Sequence, residues 1–190
     1  LLVSHDLKPL DTLSQYREVF TFPIEDYYKR VGFDFDKIPF SMLAHEYMED
    51  YQEKSYACDL HSDVLDVVNK AKNLGFSQTV LSASKMDYLL KQMETLHVDD
   101  LFDSIYGIND IYAKSKVELA HAFKQTCSLD DEIYFVGDSV HDYEVAKNIG
   151  AKCILVTTGH QNRATLESVN VPVMDSLMES LDLIYERDKD

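Results

Sequence analysis

Basic charge is in short supply along this chain: Lys and Arg number 18 against 34 Asp and Glu, a formal charge of −16 over 190 residues. A field of that sign repels phosphate backbones, so nucleic acid is not an expected partner. Cysteine is scarce as well, and Cys58, Cys127 and Cys153 show no CxxC spacing. An odd count without a disulfide framework fits reduced thiols in an intracellular setting. Cys58 and His61 lie three apart, but no second ligand pair completes a zinc site. No apolar run approaches the roughly 18 residues of a membrane-crossing helix, and no charged-then-apolar leader opens the chain. The expectation is a soluble, cytoplasmic protein without a membrane partner. GxSxG, HExxH, GxxxxGKS/T and GxGxxG are all absent, as are internal repeats and low-complexity segments.

What is present falls into two parts. From Leu1 to about residue 57 the pattern is helical and rich in aromatics, with no strand. Thr12 or Ser14 suits the cap of a segment carrying Tyr16, Val19 and Phe20, and Pro23 the first turn of another carrying Ile24, Tyr27, Tyr28 and Val31. Pro39 and Ser41 then open a longer helix in which Met42, Leu43, Tyr47, Met48 and Tyr51 recur at three- and four-residue intervals. That spacing predicts the core of a small helical bundle; the alternative is a stripe lining a binding groove.

From residue 58 onward, strands and helices alternate. Ser62 or Asp63 caps a helix with Val64, Leu65, Val67, Val68, Ala71 and Leu74 on its apolar face, and a strand from Thr79 to Leu81 ends in Ser82. Further helices carry Met86 to Leu96, Ser115 to Thr126, Ala164 to Ser168 and Ser176 to Glu186, with strands near Ile105 and Val171. Strands separated by helices of this length predict a parallel sheet with right-handed crossovers.

One stretch stands out within the alternation: Glu132 to Gly159, EIYFVGDSVHDYEVAKNIGAKCILVTTG. It reads as strand, acidic turn, helix and strand. Ligands of open α/β sheets sit beyond the carboxyl ends of the strands, which is where Asp138 falls. Asp138 and Asp142, one at a strand end and one at a helix start, have the chemistry to share a Mg²⁺, which takes one or two carboxylates, waters and substrate phosphate. Equally, Asp142 suits a plain helix cap. Ser82, followed by Ala83 and Ser84, reads either as a phosphate-binding hydroxyl at a helix start or as a serine-rich cap. Lys116, with Lys114 two residues before it, is either surface charge or a cation with an anion to neutralise. His160 lies in a loop past a strand end, within reach of a substrate or an ordinary loop residue.

Taken in order, the helical segment, the strand ending in Ser82, the lysine at a helix start, GDSVHD and NIGAKCILVTTG resemble the haloacid dehalogenase superfamily. The likeness is greatest to its phosphoglycolate-phosphatase-like branch with a helical cap, and it covers essentially the whole chain. It implies an α/β fold, a Rossmann-like parallel sheet sandwiched by helices, with residues 1–57 as a small all-α cap and 58–190 as the core. It implies Ser82 as the phosphate-binding hydroxyl with Ala83 beside it in substrate binding, and Lys116, with Lys114 as the lesser candidate, as the catalytic lysine. Asp138 would be a direct Mg²⁺ ligand and Asp142 the second acid, direct or through water.

The first motif of that family, a strand ending in DxDGT that carries the nucleophile and the general acid and base, is not found. Asp34 and Asp36 form a DxD without a preceding apolar strand or a following Gly-Thr. The expected strand is central to such a sheet, so it is expected upstream of Leu1. The resemblance thus implies a Mg²⁺-dependent phosphatase that hydrolyses a small phosphorylated metabolite, phosphoglycolate-like or a sugar phosphate, through an aspartyl phosphate, as a monomer or homodimer. A phosphosugar mutase is the alternative within the same chemistry, and a non-catalytic partner-binding remnant the alternative outside it.

Overall fold

The Thr12 side chain accepts the Gln15 backbone N–H and so starts α1 (Leu13–Val19) in the computed structural model, which describes residues 1–108 and 115–189. Pro23 and Pro39, which have no N–H to leave unpaired, stand immediately before α2 (Ile24–Arg30) and α3 (Phe40–Ser55). Tyr28, Phe33 and Leu43 form a buried cluster with Leu1, Leu2, Ile24, Phe35 and Phe40 packed around it. The aromatic and methionine stripe of α3 is not that core. Leu43 is fully buried, whereas Met42 is 63% exposed and Tyr47, Met48 and Tyr51 are exposed as well. The reason is coverage: the residues packed around Leu43 come from the chain start, α2 and the segment between α2 and α3, and they lie on the Leu43 side of α3.

Beyond this cluster the chain alternates as expected: α4 (Val64–Asn73), β1 (Thr79–Lys85), α5 (Met86–Thr95), β2 (Ser104–Ile108), α6 (Lys116–Thr126), β3 (Tyr134–Gly137), α7 (Val140–Ile149), β4 (Lys152–Val156), α8 (Arg163–Glu167), β5 (Val173–Met174) and α9 (Leu177–Arg187). Asp63 stands at the start of α4 but does not cap it with its side chain. Its carboxylate instead accepts the Leu177 and Met178 N–H groups at 3.0 and 3.3 Å, tying the start of α9 to the start of α4. No helix among the described residues is long and apolar enough to cross a membrane.

Among the described residues all strand pairings are parallel, in two separate ladders. One is β1–β2 and the other β3–β4–β5. β4 is the most buried strand, with Ile154 and Leu155 fully enclosed, and α6 and α7 share a core of Ala120, Val145 and Ile149 with Leu81 and Phe135 packed against it. Between the ladders lies a cavity of about 570 Å³ lined by Thr79 and Leu81 of β1, Tyr134 and Val136 of β3, and Lys116 and Phe123 of α6. Among the described residues no ladder crosses it. Val136, an apolar strand residue, is consequently 37% exposed.

The strand expected to end at Ser82 runs on to Lys85, where α5 follows directly. The register shift between Leu81 and Lys85 is the cause, since after it Lys85 pairs with Ile108 and the strand continues.

Cys153 in β4 is buried, and burial, followed by the nearby Asp142 carboxylate, pushes its thiol up to about 12. The thiolate is the reactive form, so at about pH 8 a thiol reagent such as DTNB should label the exposed Cys58 and spare Cys153 until the protein unfolds. Equal labelling rates at the two positions would contradict this burial.

Candidate active site

The turn between β3 and α7 is built around Asp142. Ser139 is the N-cap of α7, its hydroxyl accepting the Asp142 N–H at 3.2 Å, and the Asp142 carboxylate reaches back to complete a capping box. Asp142 Oδ2 accepts the backbone N–H groups of Asp138 (3.0 Å) and Ser139 (3.1 Å) and the Ser139 hydroxyl (2.8 Å). Its other oxygen, Oδ1, meets Lys116 Nζ at 2.5 Å in an ion pair with side chains only 18% and 4% exposed. Burial alone would raise this carboxyl. The Lys116 charge and hydrogen bond, the Ser139 hydroxyl and the Asp138 N–H outweigh burial and hold it below the usual carboxylate range. Asp142 therefore closes the capping box from the third helical position, Ser139 being the N-cap in place of the Asp142 that the sequence reading offered, and binds the lysine from α6.

Gly137 precedes the turn for a steric reason. A Cβ there would overlap the Asp142 carboxylate, so only glycine lets β3 pass so close. Another N-terminal donor of α7, the Val140 N–H, is taken at 2.7 Å by Oε1 of Gln161, a side chain 4% exposed. With these partners in place the Val140 and Asp142 amides at the start of α7 are satisfied from within the protein.

Asp138 differs from Asp142. It is half-buried, and its Oδ2 accepts the His160 backbone N–H at 2.8 Å, while Oδ1 takes no hydrogen bond from any described residue. Gly159 packs directly on this carboxylate, again where a Cβ would overlap it. Helix α1 closes the same corner. Arg17 Nε donates to the Gly159 carbonyl at 2.8 Å, the Asn162 side-chain amide donates to the Arg17 carbonyl at 3.3 Å, and the Tyr16 hydroxyl lies 2.7 Å from His160 Nδ1. The His160 ring also stacks on Phe20, centroids 4.9 Å apart. Burial, ahead of its tyrosine neighbours and Asp138, raises the Tyr16 phenol, so its hydroxyl stays protonated.

Of the residues singled out in the sequence, Lys116, Asp138 and Asp142 come together. Ser82 stands on β1, with its hydroxyl accepting the Ser84 N–H at 3.1 Å, and makes no hydrogen bond with the other three. Ala83, beside it, is exposed within the extended part of β1. Lys114 lies outside the described residues. Asp34 and Asp36 sit in an exposed turn where Asp34 Oδ1 accepts the Asp36 N–H, far in character from a strand end. Arg17, Tyr16, Gln161 and the backbone of Gly159 and His160 had no signal in the sequence beyond the position of His160 past a strand.

Among the described residues no group of three or more His, Cys, Asp and Glu is placed to hold a metal. Two carboxylates with one open oxygen nonetheless match a hard cation that keeps most of its waters, as Mg²⁺ does.

Residues 3–156 match the model of a family described as haloacid dehalogenase-like hydrolase. Among solved structures the chain is similar to a haloacid dehalogenase-like family hydrolase of Streptococcus pneumoniae, with 19% identity, TM-score 0.80, and 96% of this chain and 86% of that one covered. It is also similar to a predicted phosphatase of Clostridium acetobutylicum, with 20% identity, TM-score 0.76, and coverage of 97% and 87%. Protein tyrosine kinase A of Mycobacterium tuberculosis shares 17% identity at TM-score 0.74, with coverage of 95% and 86%. At these identities the likeness is one of fold. No curated protein matches.

Proposed function

Because the chain belongs to the haloacid dehalogenase-like hydrolase family, we propose that it is a Mg²⁺-dependent phosphatase of the cytoplasm, hydrolysing a small phosphate monoester of the phosphoglycolate or sugar phosphate kind. The observation that supports this most is the cluster at the carboxyl end of β3, where a half-buried lysine, a capping carboxylate and a half-open carboxylate meet under a helical cap.

Asp138 would hold the cation through its open Oδ1. Asp142 fixes the Asp138 backbone and keeps Lys116 in place, its Oδ1 being the second oxygen that faces the site. When bound, Mg²⁺ supplies charge that offsets the phosphoryl oxygens and orients them for in-line attack. Lys116 adds a second positive charge in a setting shielded from water, where it counts for more than on the surface. Ser82 offers its hydroxyl from β1, and the start of α5, which has no side-chain cap, offers backbone N–H groups to an anion. The nucleophilic aspartate of the family's first motif belongs on a strand between Ser82 and Asp138, and the cavity between β1 and β3 is the place that would receive it. The docked cap screens the site from water.

The test is hydrolysis of p-nitrophenyl phosphate by the protein expressed from its intact reading frame. Turnover is expected to vanish when divalent ions are removed with EDTA and to return on adding Mg²⁺. Turnover that survives chelation would overturn the metal-dependent reading, and no turnover at all would overturn the phosphatase.

A further inference from the structure

One peptide unit lies directly between α1 and Asp138. The carbonyl of Gly159 accepts Arg17 Nε from α1 at 2.8 Å, and the N–H of His160, on the other side of the same amide plane, donates to Asp138 Oδ2 at 2.8 Å. The two bonds point in opposite directions across a rigid plane. Hydrogen bonds in series through one amide polarise each other, so the Arg17 charge strengthens the bond that the His160 N–H makes to Asp138. The plane is also held sideways: the His160 ring is clamped between the Tyr16 hydroxyl at 2.7 Å and the face of Phe20 at 4.9 Å. Arg17, Tyr16 and Phe20 all belong to α1 or its C-terminal end, and Asn162 secures the same stretch through the Arg17 carbonyl. Gly159 leaves no slack, since its Cα already abuts the Asp138 carboxylate.

We infer that the Gly159–His160 peptide reports the position of the cap to Asp138, so that Arg17 and Tyr16 are positioning residues that orient the metal-binding carboxylate only while α1 is docked. With α1 in place, Oδ2 is pinned and Oδ1 is presented to the site. With α1 swung away, the amide loses its Arg17 and Tyr16 restraints, and Asp138 loses the fixed donor that aims it. Cation affinity and cap docking then help each other by the same factor, as linkage requires. The inference rests on Asp138 being the cation ligand.

The experiment uses Mn²⁺ as a paramagnetic probe in place of Mg²⁺, with affinity read by electron paramagnetic resonance, together with amide hydrogen exchange at His160. Arg17→Ala should weaken Mn²⁺ binding about tenfold, as loss of a group supporting a metal ligand commonly does, and should speed His160 exchange. Tyr16→Phe, which removes one hydroxyl and leaves the packing, should change both in the same direction by less. Arg17→Lys should recover part of the loss by restoring a donor to the Gly159 carbonyl. Mn²⁺ affinity and His160 exchange both unchanged in Arg17→Ala would overturn the inference. If the wild-type protein binds no Mn²⁺, the metal reading of the site fails on its own account. The exchange arm then still decides whether the cap holds the peptide: faster exchange in Arg17→Ala keeps the relay, and unchanged exchange removes it.

Discussion

Asp142→Ala is expected to cost about 3–5 kcal/mol of folding stability, the range seen when one partner of a buried ion pair is removed. Asp142 is 3% exposed and carries four interactions from one carboxylate: Lys116, two backbone amides and the Ser139 hydroxyl. Its removal strands the Lys116 ammonium, which is mostly buried, and uncaps α7 at the same time. Urea denaturation followed by circular dichroism measures the loss. Lys116→Met should cost a similar amount, because it leaves the carboxylate without its charge partner. The two changes together, as Asp142→Ala with Lys116→Met, should cost less than the sum of the separate losses. Strict additivity would mean that the pair is not coupled.

The same carboxylate sets an acid limit on stability. Its pKa in the folded protein is lowered, so the unfolded chain binds the proton more tightly than the folded one. The stabilisation is therefore complete above the ordinary carboxyl value of about 3.9 and is lost as pH falls through the lower folded value. Asp142→Asn should flatten that acid limb and leave the dependence near neutrality unchanged.

Asp138→Asn is expected to lower kcat for p-nitrophenyl phosphate about 100-fold or more at saturating Mg²⁺, with the fold intact. The distinction from Asp142 follows from their surroundings. Asp138 is half-buried, pairs with no cation among the described residues, and spends one oxygen on the His160 N–H. Asparagine fills the same volume and can accept that N–H through its carbonyl oxygen, so little stability is lost. What disappears is the negative charge, which is what a hard cation requires. Wild-type kcat in the variant would remove Asp138 from the mechanism; an unfolded variant would mean that its charge serves the fold instead.

Asp138 and Asp142 sit four apart in a sequence that offered both a metal site and a helix cap for the pair. The structure separates them by partner. Asp142 is committed to the capping box, a local motif readable from Ser139 and Asp142 alone, and to Lys116, 26 residues away, which no local rule identifies. Asp138 is left with an open oxygen. The α3 stripe misled for a related reason. Its spacing correctly marks one side of a helix as apolar, but which side is covered depends on where the chain start, α2 and the segment after it pack, and they bury Leu43 while leaving Met42, Tyr47, Met48 and Tyr51 exposed. At Ser82 the register shift with β2 carries the strand three residues past its expected end.

The sequence by itself determined the order of helices and strands, the parallel α/β class, the Ser139–Asp142 turn and the candidates Ser82, Lys116 and Asp138. These depend on apolar period and on caps whose partners lie within one or two turns of chain. Only the tertiary structure decided that β1 and β3 face an open cavity, that Asp63 holds α9, and that the peptide between Gly159 and His160 stands between Arg17 and Asp138. Those contacts join residues more than a hundred positions apart or depend on backbone groups that every residue carries. Nothing in the identity of a residue announces which distant carbonyl or amide it will meet; packing the elements together is what brings them into reach.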